Sequence, residues 1–447
     1  MTRAAEVAEW ITKNLPDLVA EHGVPGAQIA VLVDGEVVDT AAGVVSKATG
    51  VPVTTDAVFQ IGSITKVWTA TLVQQLVNEG LLDLDRPVRD YLPEFVVADE
   101  AASATITTRQ LLCHVAGVEG DLFTDTGANE DAVQRYVGTL ADAAQLFPPG
   151  ERFSYCNSGY VVLGRLVEVL RGKPFNTALR EQLITPLGLE HVATHIGEAI
   201  LELPAIGHVG KDVLPAPVYS LTPSNAPAGA VLSMRARSLL GFVRMHLSDS
   251  AFDGMREPQV DLPPLDLMGG HWGLGWMLFD YPGGTVIGHD GGTLGQSAFL
   301  RVVPEAGVAV ALLTNGGDVL ALYRKVFGHL LGELAGVRLP ELAQVPAEPE
   351  PIDAHRTAGT YRSTMLDLEL EVRENGSAWL TMIPRTPEAK VLLGEVEPVE
   401  LVRLDENRLI STKQEMGRHS VYVLVGEDSQ GRARYLHNGR AVARAAE

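Results

Sequence analysis

Apolar and polar positions along the chain fall into three regimes, and each predicts a different kind of element. Residues 3 to 22 carry apolar side chains at helical spacing and stop at His22-Gly23-Val24-Pro25-Gly26, where glycine and proline end a helix. Two short apolar runs, 27 to 32 and 37 to 42, flank Asp34-Gly35 and predict a β-hairpin. Phe59-Gln60-Ile61-Gly62-Ser63-Ile64-Thr65-Lys66 then opens an apolar-periodic helix that ends at Gly80. The middle of the chain reads as helical: a short helix near 88 to 91 broken by Pro93, an apolar run from 106 with a threonine cap, a segment over 129 to 145, and an apolar helix from 159 to 171. From about residue 275 the period changes to that of strands, at 285 to 287, 297 to 303 and 308 to 314. The last of these is almost wholly apolar and is expected in the centre of a sheet. A helix over 318 to 335 follows.

This order predicts an α/β (α+β) fold in which one antiparallel sheet, shared between chain ends, has an all-helical lobe inserted between its halves. Pro340, Pro346, Pro349 and Pro351 among Glu and Ala mark residues 339 to 355 as a stiff linker, so residues 1 to 338 form the first domain. Over 356 to 447 the pattern alternates, as at Leu366, Leu368, Leu370 and Val372. Turns recur at Asn375-Gly376, Asp405-Glu406-Asn407, Glu427-Asp428 and Asn438-Gly439, which predicts a small antiparallel β-barrel.

Composition narrows the function classes. A net charge of -21 in 447 residues disfavours nucleic acid and anionic membrane as partners, since both are bound through Lys and Arg. The first residues offer no apolar core of a signal peptide, and no run of 18 apolar residues occurs, so a cytoplasmic location is expected. Two cysteines, Cys113 and Cys156, and twelve scattered histidines give neither a disulfide framework nor metal-ligand spacing. No metal and no organic cofactor is expected.

Three small elements carry the chemistry. Ser63-x-x-Lys66 places an amine one helical turn from a hydroxyl, and a desolvated lysine is able to take a serine's proton. Taken alone it also reads as a helical turn with a solvated lysine. Tyr155-Cys156-Asn157 follows Pro148-Pro149-Gly150, and His289-Asp290-Gly291-Gly292 sets a polar side chain before small residues at a strand. Trp272 and Trp276 either line a substrate pocket or fill core. Cys156 and His114 read as structural, and Asp121, Phe123, Thr124 and Asp125 as a surface loop.

With Leu111-Leu112-Cys113-His114-Val115-Ala116-Gly117, Pro186-Leu187-Gly188-Leu189 and Leu313-Thr314-Asn315 at matching intervals, the ordered set resembles the serine penicillin-binding-protein and class C β-lactamase superfamily over roughly residues 5 to 335. The resemblance implies that Ser63 is the acylated nucleophile, Lys66 its general base and Tyr155 a second proton carrier, with Lys66 the cation that would favour a phenolate. It further implies that Asn157 binds the substrate amide and steadies Lys66, that the Ser63 and Gly292 amides form the oxyanion hole, and that Asp290, Gly291 and Trp276 contact substrate. His289 stands where penicillin-targeted members carry lysine, which argues against β-lactam turnover and for the esterase, D-peptidase and transferase branches. Among these the chain is most similar to stand-alone penicillin-binding-protein-type thioesterases, which macrocyclise nonribosomal peptides head to tail and carry a C-terminal lipocalin-like barrel. The expected substrate is a peptidyl thioester or ester, free or on a carrier protein, with the barrel on the acceptor or carrier side rather than in bond-making. The alternatives are an esterase or D-amino-acid-specific peptidase, and a catalytically silent binding domain.

Overall fold

The computed structural model describes residues 2–266, 268–386, 389–390, 396–415 and 417–446. Its larger sheet has eight antiparallel strands in the order Glu36–Gly43, Gly26–Val33, Val308–Thr314, Ser297–Val303, Gly284–Gly292, Met277–Tyr281, His271–Trp272 and Val260–Asp261. Strands from both ends of the domain therefore meet in its middle, with Ala27 opposite Thr314 and Leu32 opposite Ala309. Every residue of Val308–Thr314 is buried, as its unbroken apolar run requires of a strand covered on both faces. The hairpin turn is made by Asp34 and Gly35, both at positive φ, which is the backbone that closes a two-residue hairpin.

Helices Arg3–Glu21 and Val319–Ala335 cover one face and are tied together by Trp10 stacked on His329 at 4.1 Å. Helix Ala236–Ser248 packs against the central strands, with the helical lobe beside it. Helix Val319–Ala335 buries Leu322, Val326, Phe327, Leu330 and Leu331, each contributing about 1.5 to 3 kcal/mol through removal of apolar surface from water. The segment expected to be helical over 129 to 145 is shorter: an α-helix, Ala132–Gly138, passes into a 3-10 turn, Thr139–Asp142. Gly138 lies at the junction, where its low helix propensity weakens the run. Thr107 caps its helix reciprocally with Gln110.

Irregular chain over 336 to 353 leads to a closed eight-stranded antiparallel barrel between Gly359 and Arg444. The barrel has its own core, including Tyr361, Leu368, Leu380, Leu401 and Leu436. A separate small cluster, Phe147 with Tyr435 and Ala441, joins it to the first domain. The outermost residues of the two expected domains, 1 and 447, lie outside the described residues. Among the described residues no helix is long and apolar enough to cross a membrane.

Candidate active site

Ser63 sits in a single 3-10 turn, Gly62–Ile64, that passes directly into helix Thr65–Asn78. From Ala57 to Val73 it is the one residue that is not buried, so the turn delivers a hydroxyl to the surface of an otherwise closed core. Lys66, one turn on, is fully buried and donates to Ser63 Oγ at 3.0 Å and to the Ala228 carbonyl at 2.5 Å. Burial, reinforced by Arg440, holds the Lys66 amine well below its ordinary range, against the smaller opposing pull of Asp121. The shift favours the neutral form of the amine, the form that accepts a hydroxyl's proton. Thr69 fixes the same helix by donating to the Pro227 carbonyl at 2.7 Å.

The His289 strand supplies the opposite wall. Its pairing with Met277–Tyr281 ends at Gly288, so His289 to Gly292 have one edge free of a strand, and this edge lies against the Ser63 turn. Close approach demands glycine on both sides: a Cβ on Gly62, at φ +52°, would stand 2.5 Å from the Gly292 nitrogen, and one on Gly291 would stand 1.9 Å from the Ile61 carbonyl oxygen. The backbone at Ser63 and at Gly292 is thereby brought together. Period-2 alternation sends neighbouring side chains to opposite faces. His289 turns toward the helical lobe, where its Nδ1 donates to the Asp290 carbonyl at 2.7 Å and its Nε2, an acceptor in that tautomer, is buried without a partner among the described residues. Burial and then Lys66 lower its pKa to about 3, so it is neutral. Asp290 points the other way, to a bidentate pair with buried Arg301. Arg301 in turn lies over the rings of Phe279 and Tyr323. Asp290 was expected at the substrate; its carboxylate is engaged beneath the sheet instead.

Tyr155 lies just before helix Asn157–Arg171 with its ring over Lys66 Nζ at 4.9 Å. Its hydroxyl is buried and has no hydrogen-bond partner among the described residues. Burial raises its pKa, and Ser63, near enough to favour phenolate slightly, together with Arg440 only partly offsets this. The phenol is neutral. Arg440 rather than the expected Lys66 is the cation that favours phenolate at Tyr155, and burial disfavours the charged form of Lys66 itself. Asn157, expected to steady Lys66, donates to Asp121 at 2.8 Å; Lys66 is held by Ser63 and Ala228. Trp276 is wholly buried beside His246, at the back of the Ser63 helix, and belongs to the core. Trp272 is the tryptophan at the site, edge-on to Tyr155 at 5.8 Å and to His289 at 5.5 Å.

Two residues expected to be structural are so. His114 Nδ1 accepts from the Cys156 amide at 2.9 Å and its ring lies 4.3 Å from that of Tyr155, while the Cys156 sulfur caps the Asn157 helix by accepting from Gly159. Burial pushes the Cys156 thiol up to about 12, which makes it inert.

The pattern of motifs gave no warning of the last component, which arrives from the barrel. The turn at Asn438-Gly439 puts the Gly439 carbonyl on the Tyr155 amide at 2.9 Å and lays the Arg440 guanidinium over the Tyr155 ring at 4.9 Å. Arg440 forms a bidentate pair with Asp121, at 2.7 and 3.2 Å, and Asp121 holds Asn157. The guanidinium lies between the domains, and its side chain keeps part of its surface open to solvent. Asp121 is therefore no surface loop residue. The sequence signal available was a lone acid in a Gly-containing stretch and an arginine after Asn-Gly, which is indistinguishable from a solvated turn.

A family model described as Beta-lactamase matches residues 11–331. Penicillin-binding protein 4 of Amycolatopsis lactamdurans is 47% identical over 371 residues, which cover 79% of this chain and 97% of that protein. The crystal structure of SurE with D-Leu superposes with a TM-score of 0.79 at 29% identity, covering 98% of this chain and 99% of that one. D-amino acid amidase from Ochrobactrum anthropi SV3 complexed with D-phenylalanine gives a TM-score of 0.58 at 25% identity, covering 69% of this chain and 91% of that one. With the family model and the 47% identical relative both matching most of the chain's length, the chain belongs to the beta-lactamase family as one of its serine hydrolase enzymes.

Proposed function

We propose that the protein is an acyltransferase of the penicillin-binding type that takes a peptidyl group ending in a D-residue from a thioester or ester onto Ser63 and closes it onto the peptide's own amine. The observation that carries the reading is the set of buried polar atoms without partners among the described residues, Tyr155 Oη and His289 Nε2, near the Ser63–Lys66 hydrogen bond. Unpaired buried polar groups are costly and mark places where a ligand completes the bonding. In this reading Lys66 takes the Ser63 proton, the oxygen attacks the acyl carbon, and the Ser63 and Gly292 amides hold the developing oxyanion. The thiol leaves with a proton relayed by Tyr155. The amine then attacks the acyl-serine, loses its proton through Tyr155 with His289 Nε2 accepting a hydrogen bond from it, and Ser63 regains its own. Intramolecular delivery of the amine contributes about 7 to 11 kcal/mol to the barrier reduction. A neutral His289, in place of a fixed cation, leaves nothing there to hold a free substrate carboxylate, which fits an ester or thioester donor better than a β-lactam. The two structural relatives, SurE with D-Leu and a D-amino acid amidase complexed with D-phenylalanine, favour a D-configured acyl residue.

A linear peptide of about six to ten residues with a C-terminal D-residue, offered as a small thioester, is expected to give cyclic product and a transient single adduct on Ser63. Its L-epimer should give little of either, and Ser63→Ala should give no adduct. Mass detection separates the products, because the linear acid is one water heavier than the cycle. The amidase likeness supports a second reading, hydrolysis by an esterase or D-peptidase. Linear acid as the main product from varied D-terminal donors would establish that reading in place of transfer.

A further inference from the structure

A cavity of about 270 Å³ lies between the two domains, immediately beyond Asp121 and Arg440. One wall comes from the first domain through Leu146, and the other from the barrel through Met365, Leu366, Leu368 and Met382. Those walls are apolar. Its polar end holds three charged side chains: Glu119, Asp121 and Arg440. Glu119 is buried, and one of its oxygens accepts from both the amide and the hydroxyl of Thr364 in the barrel. Arg440 pairs with Asp121, and among the described residues no salt bridge reaches Glu119, whose carboxyl burial holds above its ordinary range, so a cation entering here would favour its ionised form and add a negative charge that Arg440 does not balance. An isolated buried carboxylate is costly unless a positive group joins it. Arg440 links this end to Tyr155, whose buried hydroxyl has no partner among the described residues.

Resting on the reading above, we infer that this interdomain cavity is the subsite for the attacking amine: it takes the peptide's N-terminal residue, with its ammonium at the Glu119 and Asp121 carboxylates and an apolar side chain against Met365, Leu366 and Met382. Two alternatives fit less well. A carrier's phosphorylated arm is an anion and would meet the Glu119 and Asp121 carboxyl groups. The acyl residue itself is bound to Ser63, which does not line this cavity. From the subsite the ammonium releases one proton to solvent along the cleft. The free amine attacks the acyl carbon, the carbon to Ser63 Oγ bond breaks as the carbon to nitrogen bond forms, and the second amine proton passes by Tyr155 and Lys66 to Ser63 Oγ. Atoms and charge balance with no other reactant.

The test uses the full chain, an activated D-terminal acyl donor without a free amine, and separate amino acid amides as acceptors, so that aminolysis and hydrolysis are read from the same acyl-enzyme. With the wild type, D- or L-leucinamide should saturate at lower concentration than glycinamide by about tenfold, and a glutamic acid side chain should abolish saturation. Met382→Trp fills the cavity and should raise the acceptor concentration for half-maximal aminolysis at least tenfold. Glu119→Gln should do so for amines and leave a neutral hydroxyl acceptor such as leucinol's O-acylation unchanged in concentration dependence. The rate of Ser63 labelling, followed in every variant, reports folding and acylation. Normal labelling with an unchanged acceptor dependence in Met382→Trp would overturn the subsite. Absence of labelling in the wild type would instead overturn the proposed function.

Discussion

Lys66 bears most of the consequences of its surroundings. Because burial holds its amine below the ordinary range, the folded chain binds fewer protons at this position than the unfolded chain does at any pH between the lowered value and about 10.4. Keeping the amine neutral in the fold therefore costs stability, and the cost grows as pH falls through that window. Lys66→Met, which keeps an unbranched chain and removes the titration, should abolish acylation. It should also raise stability by about 1 to 2 kcal/mol at pH 7, in the manner of a relieved active-site strain. Urea unfolding at pH 7 and at pH 10 checks the sign: the gain should be larger at pH 7. A gain independent of pH would mean that Lys66 is charged in the fold. Ser63 and Lys66 were legible in the sequence because the i, i+3 relation is local and survives in any helical turn. Tyr155 and His289 were legible as parts of ordered motifs. The roles of Asn157 and Trp276 were not, since which neighbour an amide meets and which of two tryptophans faces a cleft are decided by packing between distant segments.

At the scale of elements, the site exists where a strand loses one neighbour. Met277–Tyr281 stops pairing at Gly288, and the continuing edge from His289 to Gly292 is pressed to the Ser63 turn by two glycines. Adjacent positions on that strand should therefore respond in opposite ways. Gly291→Ala drives a methyl into the Ile61 carbonyl, separates the strand from the turn, and should slow Ser63 acylation about 100-fold through loss of oxyanion stabilisation. Asp290→Asn leaves that edge in place but strips the buried Arg301 of its partner, against whose charge burial works. It should cost about 3 kcal/mol of stability with acylation retained in the folded fraction. Denaturant melts and labelling rates on both variants separate the two effects; an Asp290→Asn protein of normal stability and impaired acylation would return Asp290 to the substrate side. The glycines and the strand period were readable in advance. The end of the Met277–Tyr281 pairing was not, because it depends on register between strands, and nothing in a single strand's composition states where its neighbour stops.

In the whole molecule, the barrel sets a charge, Arg440, beside Tyr155 and close enough to act on Lys66, which its separation from the motifs by a proline-rich stretch gave no reason to expect. Alternation and turn residues made the barrel itself legible, but a single arginine in a polar turn becomes meaningful only when docking brings it to Asp121. The two charges act on Lys66 with opposite sign. Arg440 helps to lower the amine's pKa, and Asp121 opposes that lowering. Arg440→Gln removes a repelling cation and exposes Lys66 to an unpaired carboxylate, so the acid limb of the acylation profile should move to higher pH. Asp121→Asn removes the attracting anion and should move it to lower pH. The double variant, which removes both, should return close to the wild-type midpoint even though its maximal rate is lower, because Asn157 and Tyr155 lose their supports. Residues in one charge network are expected to show such coupling, commonly 0.5 to 3 kcal/mol. The measurement is the rate of Ser63 labelling by an uncharged acylating reagent across pH, at low salt, where charge interactions are least screened. A purely structural contact between the domains would lower the rate of each variant with one common midpoint. Midpoints displaced in opposite directions by the two single changes, and restored in the double, would make the barrel a determinant of the pH at which Ser63 is activated.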